Sequence, residues 1–270
     1  MHGHSRSSLI AAREQLAAAV TSAAEARTLG DDLFAILHLL DEQPGLRRAL
    51  TDSSRPPRAR SDLARRLLRG RVSDETVKLF AGLVAARWSV PGDLADAVNE
   101  LAVLAIAAAA ERGRHLDDLE DQLFRFGRVV ESAPNLRTAL SNPQIPAQYK
   151  HQLLDTLLEG KVNVDTRRLI DEAAEHSRGR SLDASLSEYA RLAAQWRQRL
   201  IATARVAVPL TARQRERLIS ALEAAYGHEI HLDVIIDPQV LGGMSVQIGD
   251  EFIDGSLASR LSWLRRRLAA

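Results

Sequence analysis

The sequence contains no cysteine. That excludes a disulfide framework, a cysteine nucleophile, thiolate zinc sites and iron–sulfur clusters, and it fits a reducing cytoplasm. Long hydrophobic runs are missing as well. The longest, Leu101 to Ala110, is ten residues and mostly alanine, whereas a bilayer-spanning helix takes roughly 20 apolar residues. Met1 to Ser8 is polar, with no apolar segment and no small-residue cleavage site, so it does not read as a secretory signal. Neither sign of charge dominates, with 36 Lys+Arg against 35 Asp+Glu. Lysine is scarce: only Lys78, Lys150 and Lys161 occur, a bias that reflects GC-rich coding rather than a physical demand.

Glycine, proline and β-branched residues are also sparse up to about residue 200, where Ala, Leu, Arg and Glu, all strong helix formers, prevail. Leu29, Leu33, Ile36, Leu37 and Leu40 recur at three- and four-residue steps, as do Leu116, Leu119, Leu123, Phe126 and Val130, each set making one buried stripe. Helix breaks are expected at Gln43-Pro44-Gly45, Ser53 to Pro57, Val90-Pro91-Gly92, Ala133-Pro134-Asn135, Asn142 to Pro146 and Arg178-Gly179-Arg180. Ser73 reads as an N-cap, with Val72 able to staple onto Val77.

The helical region repeats. At an offset of 90 residues without gaps, 29–79 matches 119–169 at 17 of 51 positions. The pairs include Phe34 with Phe124, Pro44 with Pro134, Pro56 with Pro146, Gly70 with Gly160 and Thr76 with Thr166. Prolines and glycines in register do not arise from Ala/Leu/Arg bias alone. The match continues, shifted by two residues, from Leu94–Leu104 into Leu182–Leu192. The expectation is two copies of one bundle of about 90 residues, each packed around its own core; that period is too long for a helical solenoid repeat.

Beyond residue 200 the texture changes. Ile201 to Val208 alternates as a strand, Thr211-Ala-Arg-Gln214 is a capping box opening a helix, and Ile230 to Ile236 alternates again. Gly242-Gly243 introduces Met244 to Ile248, Gly249-Asp250 turns into Phe252-Ile253, and Asp254-Gly255-Ser256 opens a last helix whose stripe is Leu257, Leu261, Leu264 and Leu268. The order β-α-β-β-β-α implies a small unit with a mixed or antiparallel sheet. The fold class is thus mainly α, two tandem helical bundles (1–95 and 96–200) followed by a small α+β domain (201–270).

Catalytic and ligand motifs are missing. There is no G-x-x-x-x-G-K-[ST] and no G-x-G-x-x-G, and Gly242-Gly243 falls between strands as a tight turn. His228 and His231 would face opposite sides of a strand, which disfavours shared metal ligation; the remaining histidines are scattered, and no metal or cofactor site is assigned. Asp117-Asp118 with Glu120-Asp121, and Asp171-Glu172 with Glu175, read as solvated helix faces. Residues 47–71 carry nine arginines (Arg47, Arg48, Arg55, Arg58, Arg60, Arg65, Arg66, Arg69, Arg71) against Asp52 and Asp62, the one feature suggesting nucleic-acid binding. No aromatic residue is interleaved there to stack bases, and the equivalent segment 137–161 is not strongly basic, so a solvated face or a contact with an acidic partner is the better reading.

The stretch Asp237 to Leu261, DPQVLGGMSVQIGDEFIDGSLASRL, resembles the C-terminal signature of the delta subunits of F-type ATP synthase, the family that includes the mitochondrial oligomycin-sensitivity-conferring protein. Asp237, Pro238, Gly242, Gly243, Gly249, Asp250, Asp254, Gly255, Ser256, Arg260 and Leu261 all fall on that pattern. The resemblance spans roughly 97–270 and leaves 1–95 as an additional copy of the helical domain, as in the long delta subunits of high-GC Gram-positive bacteria. In the related mycobacterial arrangement delta is fused behind a membrane-anchored b-type segment; this sequence shows no such anchor and is expected to rely on separate b subunits.

The resemblance implies a non-catalytic stator subunit, without cofactor. It would join the alpha subunits of the catalytic head to the b stalk, so that proton-driven rotation is coupled to ATP synthesis. It would sit peripherally on the cytoplasmic side of the cell membrane, held there by partners. In the family an amphipathic helix from an alpha N-terminus lies in a groove between the first and fifth bundle helices, the helix-in-groove mode of recognition. The counterparts here are Leu101, Leu104, Ala105, Leu169, Ile170 and Ala173. The extra copy is then expected to hold a second alpha terminus, to brace the stalk, or to serve as a spacer.

Overall fold

The computed structural model describes residues 4–142, 144–198, 201–226, 230–237, 243–248 and 251–254. They divide into two compact units, Met1–Ala194 and Gln195–Ala270. The first is built from α1 (His4–Ala19), α2 (Ala23–Glu42), α3 (Pro44–Thr51), α4 (Pro57–Leu68), α5 (Asp74–Ala85), α6 (Pro91–Arg112), α7 (Leu116–Ser132), α8 (Pro134–Ser141), α9 (Ala147–Leu158), α10 (Val164–Glu175) and most of α11 (Leu182–Gln198). The expected breaks are real. Pro44, Pro57, Pro91 and Pro134 stand in the first turn of α3, α4, α6 and α8, where proline's missing N–H costs nothing. Ser73 caps α5 through the Thr76 N–H, 3.3 Å away, and Asn163 caps α10 through the Thr166 N–H at 2.8 Å.

The 90-residue period of the sequence reappears as repeated construction. Helices α3 and α8 are both 8 residues long, and α4, α5, α9 and α10 are all 12. Gly70 and Gly160 take left-handed φ values of 71° and 68°, a conformation glycine adopts without steric cost. Asp52 accepts from the Ser54 N–H as Asn142 does from the Gln144 N–H, both at 2.9 Å. The Ser73 N–H donates to Asp32 at 2.8 Å and the Asn163 N–H to Gln122 at 3.0 Å, tying the second helix of each copy to the start of the fifth. Two buried bases repeat as well. Arg60 donates to the Ala85 and Ala86 carbonyls at 3.1 and 3.0 Å, and Lys150 donates to the Ala174 carbonyl at 2.8 Å, each closing the end of the following helix. Burial holds both bases below their ordinary pKa.

The residue expected to end the first copy, Ala95, lies inside α6, and the two copies do not keep separate cores. Helix α6 packs on α1, α2 and α3 and also on α7 and α10. It carries Ala95, Asn99, Ala102, Ile106 and Ala110, each 90 positions beyond a buried residue at the end or along α1 (Ser5, Leu9, Ala12, Leu16, Val20). It also carries Leu94, Val98, Leu101, Leu104 and Ala105, each 88 positions before a buried residue of α11 (Leu182, Leu186, Tyr189, Leu192, Ala193). Helix α6 is therefore the last helix of the first copy and the first of the second. The union of the two stripes leaves no solvent face from Leu101 to Ala110, which explains the ten-residue apolar run: a helix apolar all round is a buried helix. Among the described residues no helix is long and apolar enough to cross a membrane.

The second unit holds β1 (Ile201–Val206), α12 (Ala212–Tyr226), β2 (His231–Ile236), β3 (Met244–Ile248) and β4 (Glu251–Asp254). The sheet order is β2-β1-β3-β4, with β1 and β2 parallel and the other pairs antiparallel, the mixed sheet that the β-α-β start of the segment demands. Thr211 and Gln214 form the expected capping box, each side chain bonded to the other's backbone N–H at 2.9 and 3.3 Å. Ala202, Ala204, Leu222, Ile230, Leu232, Val246 and Ile248 make its core. The expected last helix, with Leu257, Leu261, Leu264 and Leu268, lies outside the described residues.

Candidate functional site

The six groove residues are brought together and are covered. Leu101, Leu104, Ala105, Leu169, Ile170 and Ala173 are between 0% and 2% exposed, on the facing helices α6 and α10. The most extensive helix pairing in the unit is α2 on α6. That packing leaves no room for a side chain at Gly30: a Cβ there would meet the Ile106 Cδ1 at 2.6 Å and the Ala102 carbonyl oxygen at 3.3 Å. Helix α2 commits Leu29, Leu33, Ile36, Leu37 and Leu40 to the core, a burial of about 1.5–3 kcal/mol for each large side chain.

A polar edge of α2 meets α10 through a ladder of charge pairs that ascends both segments together. Arg27 forms a two-point pair with Asp165 (2.6 and 3.0 Å), Arg168 donates to Asp31 (2.5 Å), His38 meets Glu172 (2.7 Å), and Arg178, just beyond α10, donates to Asp41 (2.6 Å). His115 adds a second partner to Asp165 at 2.7 Å, and Arg178 reaches Asp96 at 3.2 Å. The Arg168 guanidinium also lies over the Phe34 ring, 4.7 Å from its centroid. Steps of four, three, four and three residues (27, 31, 34, 38, 41) keep these groups on one edge of α2.

At the centre of the ladder two histidines far apart in sequence come face to face. The His38 and His176 rings stack at 3.5 Å with a 20° tilt. The Glu172 Oε1 sits 2.7 Å from His38 Nε2 and 3.5 Å from His176 Nδ1, and its Oε2 accepts from Arg168 at 3.1 Å. Burial alone would raise the Glu172 pKa, but the His38 hydrogen bond and the charges of His38, Arg168 and His176 outweigh it and hold the carboxyl below its ordinary value. Burial lowers the His176 pKa, Glu172 opposes that, and His38 and Arg168 reinforce it. Glu172 is not the solvated surface carboxylate expected from Asp171-Glu172-Glu175, because its side of α10 faces His38 of α2; it is 2% exposed. No local pattern marks this cluster: the partners are 134 residues apart and occupy non-equivalent places in the repeat.

The arginine-rich segment is divided by the fold. Arg60 is buried as a helix clamp; Arg47, Arg55 and Arg65 pair with Asp41, Asp52 and Asp62; Arg48, Arg58, Arg66, Arg69 and Arg71 are exposed. That is a solvated face with one structural member. Of the C-terminal signature, the Asp237 N–H donates to the Val206 carbonyl at 2.9 Å, continuing the β1–β2 pairing. Gly243 has a φ of +84°, the left-handed region that calls for glycine, and Asp254 pairs with Ser245 at the end of β4. Pro238, Gly242, Gly249, Asp250, Gly255, Ser256, Arg260, Leu261 and also His228 lie outside the described residues.

Comparison with known proteins bears on the whole chain. The family described as ATP synthase delta (OSCP) subunit matches residues 102–268, starting within α6 and covering the second copy and the second unit. The chain is similar to the ATP synthase subunit delta of Streptomyces griseus, 46% identical over 270 residues and covering 100% of both chains. It is similar, at 44% and 43%, to those of Acidothermus cellulolyticus and Thermobifida fusca, again over 100% of both chains. These relatives therefore align with the first copy too. The signature from Asp237 onward, the family match and the end-to-end identity agree that the chain belongs to the ATP synthase delta (OSCP) subunit family.

Proposed function

We infer that this chain is a non-catalytic stator subunit of the proton-translocating F-type ATP synthase, linking the alpha subunits of the head to the b stalk so that rotation is coupled to ATP synthesis. The observation that carries this is the identity to ATP synthase delta subunits from the first residue to the last. The chain works by resisting torque, so its chemistry is that of interfaces. It is held peripherally on the cytoplasmic side of the membrane by its partners. Cross-linking of the complex solubilised from membranes tests the role: links to alpha and b subunits are expected, and recovery of the chain apart from both would sink it.

The groove needs a more specific reading. Helix α2 packs along α6 and its polar edge reaches α10, so a partner helix seated between α6 and α10 would compete with it, and displacing it would expose Leu33, Phe34 and Leu37, all 0% exposed, at about 1.5–3 kcal/mol each. We propose that α2 is the permanent occupant there. An alpha N-terminal helix then docks on the equivalent edge of the first copy, between α1 and α5. The positions 90 residues before the six groove residues are Ala11, Glu14 and Gln15, exposed on α1, and Leu79, Phe80 and Leu83, buried on α5. Titration of the labelled chain with an alpha N-terminal peptide is expected to shift amide signals of α1 and α5. Shifts confined to 95–200, with 1–94 silent, would refute this assignment while leaving the stator role standing.

A further inference from the structure

We propose that His38, Glu172 and His176 form a binding site for a divalent transition-metal ion of the zinc class, which staples the first copy to the second. Glu172 and His176 are four residues apart at the end of α10, the spacing that places two ligands on one helix face, and His38 comes from α2. The three donor atoms, His38 Nε2, Glu172 Oε1 and His176 Nδ1, all lie within 4.8 Å of one another. Two imidazoles and one carboxylate are a donor set that zinc accepts with a fourth position left to water.

The second observation is an orphan. His176 Nδ1 is buried without a hydrogen-bond partner, although the Glu172 carboxylate is only 3.5 Å away. A buried polar nitrogen left unpaired is costly, and a cation between it and the carboxylate would satisfy both. Ligand bonds of about 2.0–2.2 Å in a tetrahedral site put ligand atoms roughly 3.3–3.6 Å apart. The His176–Glu172 contact of 3.5 Å already has that separation, and the His38–Glu172 contact of 2.7 Å would open slightly. The stacked rings must rotate about χ2 to converge on one ion, a broad and soft torsion for histidine.

The surroundings are those of a supported site. Arg168 holds the second oxygen of Glu172 and is itself held by Asp31, which leaves Oε1 facing only the two histidines. Asp31 and Glu172 outnumber Arg168 by one negative charge, which favours a dication. The side chains of His38 and His176 are 26% and 38% exposed, giving the ion an entry path and a place for its water ligand.

Untagged full-length chain titrated with zinc chloride in chelator-treated buffer is expected to take up one equivalent at this site. Cobalt(II) in its place should show the visible absorption of four-coordinate geometry. His176→Ala and His38→Ala are each expected to weaken uptake at least tenfold, whereas His151→Ala leaves it unchanged. Footprinting the wild-type chain with diethyl pyrocarbonate gives a readout that does not depend on how the variants fold: zinc should protect His38 and His176 and leave His151 reactive. The proposal is overturned by absence of saturable uptake, by uptake that survives loss of either histidine, or by zinc that leaves both histidines equally reactive.

Discussion

The two copies place the same phenylalanine in opposite surroundings. Phe34 of α2 is 0% exposed beneath Arg168, whereas its counterpart Phe124 of α7 is 59% exposed. The third, fourth and fifth helices of each copy are of equal length and are tied by equivalent caps, Asx turns and buried bases. What differs is the neighbour: α2 has the second copy against its polar edge. Duplication therefore reproduced the scaffold faithfully, and the specific character of each copy resides on faces that the scaffold does not constrain.

The strongest way to break the comparison is at α6 and α11. Val103 is 0% exposed, while the residue 88 positions on, Arg191, is half exposed beside Glu188. Val103→Arg forces an unpaired charge and extra volume into the shared helix and should cost more than about 4 kcal/mol, enough to unfold the whole helical unit. Arg191→Val should change stability by no more than about 0.5–1 kcal/mol. Urea unfolding followed by circular dichroism distinguishes them. A Val103→Arg protein in which the first copy melts alone would show that α6 does not join the two cores.

Next in size is Gly30→Val, whose added atoms meet Ile106 and the Ala102 carbonyl; overpacking there should cost about 1–3 kcal/mol in the same assay. The paired clamps then sharpen the equivalence. Arg60→Met removes two carbonyl bonds and Lys150→Met removes one, so both should destabilise, by about 1.5–3 kcal/mol for each charged hydrogen bond at most, with Arg60 the larger. Equal losses would mean that the second Arg60 bond contributes nothing.

The smallest effect is on pH. The Arg191 hydrogen bond, opposed in part by burial, keeps the Glu188 carboxyl below its ordinary value. Its contribution is therefore complete above the unfolded value of about 4.3 and is lost as pH falls through the lower folded value. Glu188→Gln should lower stability slightly at neutral pH, leave it unchanged at the acid end where the carboxyl is protonated anyway, and so flatten the profile between the two.

Much of this was legible in the sequence. Proline at first turns, Ser73 and Thr211 as caps, and the alternation in 201–206, 231–236 and 244–248 depend on nearest neighbours, and the structure has them where local chemistry puts them. The signature from Asp237 identified the family. The groove residues came from the resemblance to the family rather than from any local pattern, and what covers them was not legible, since an apolar position looks the same whether it awaits a partner or already has one. His38, Glu172 and His176 left no trace either, because non-local side-chain contacts follow no period.

By itself the sequence determined the helices, their ends, the duplication and the family, all of which follow from local spacing or from direct likeness. Only the tertiary structure decided that one helix serves two bundles, that α2 packs along α6, and that a charged ladder joins α2 to α10. The physical reason is that burial of an all-apolar helix can be met by any neighbour, and only the packed chain shows which neighbours meet it.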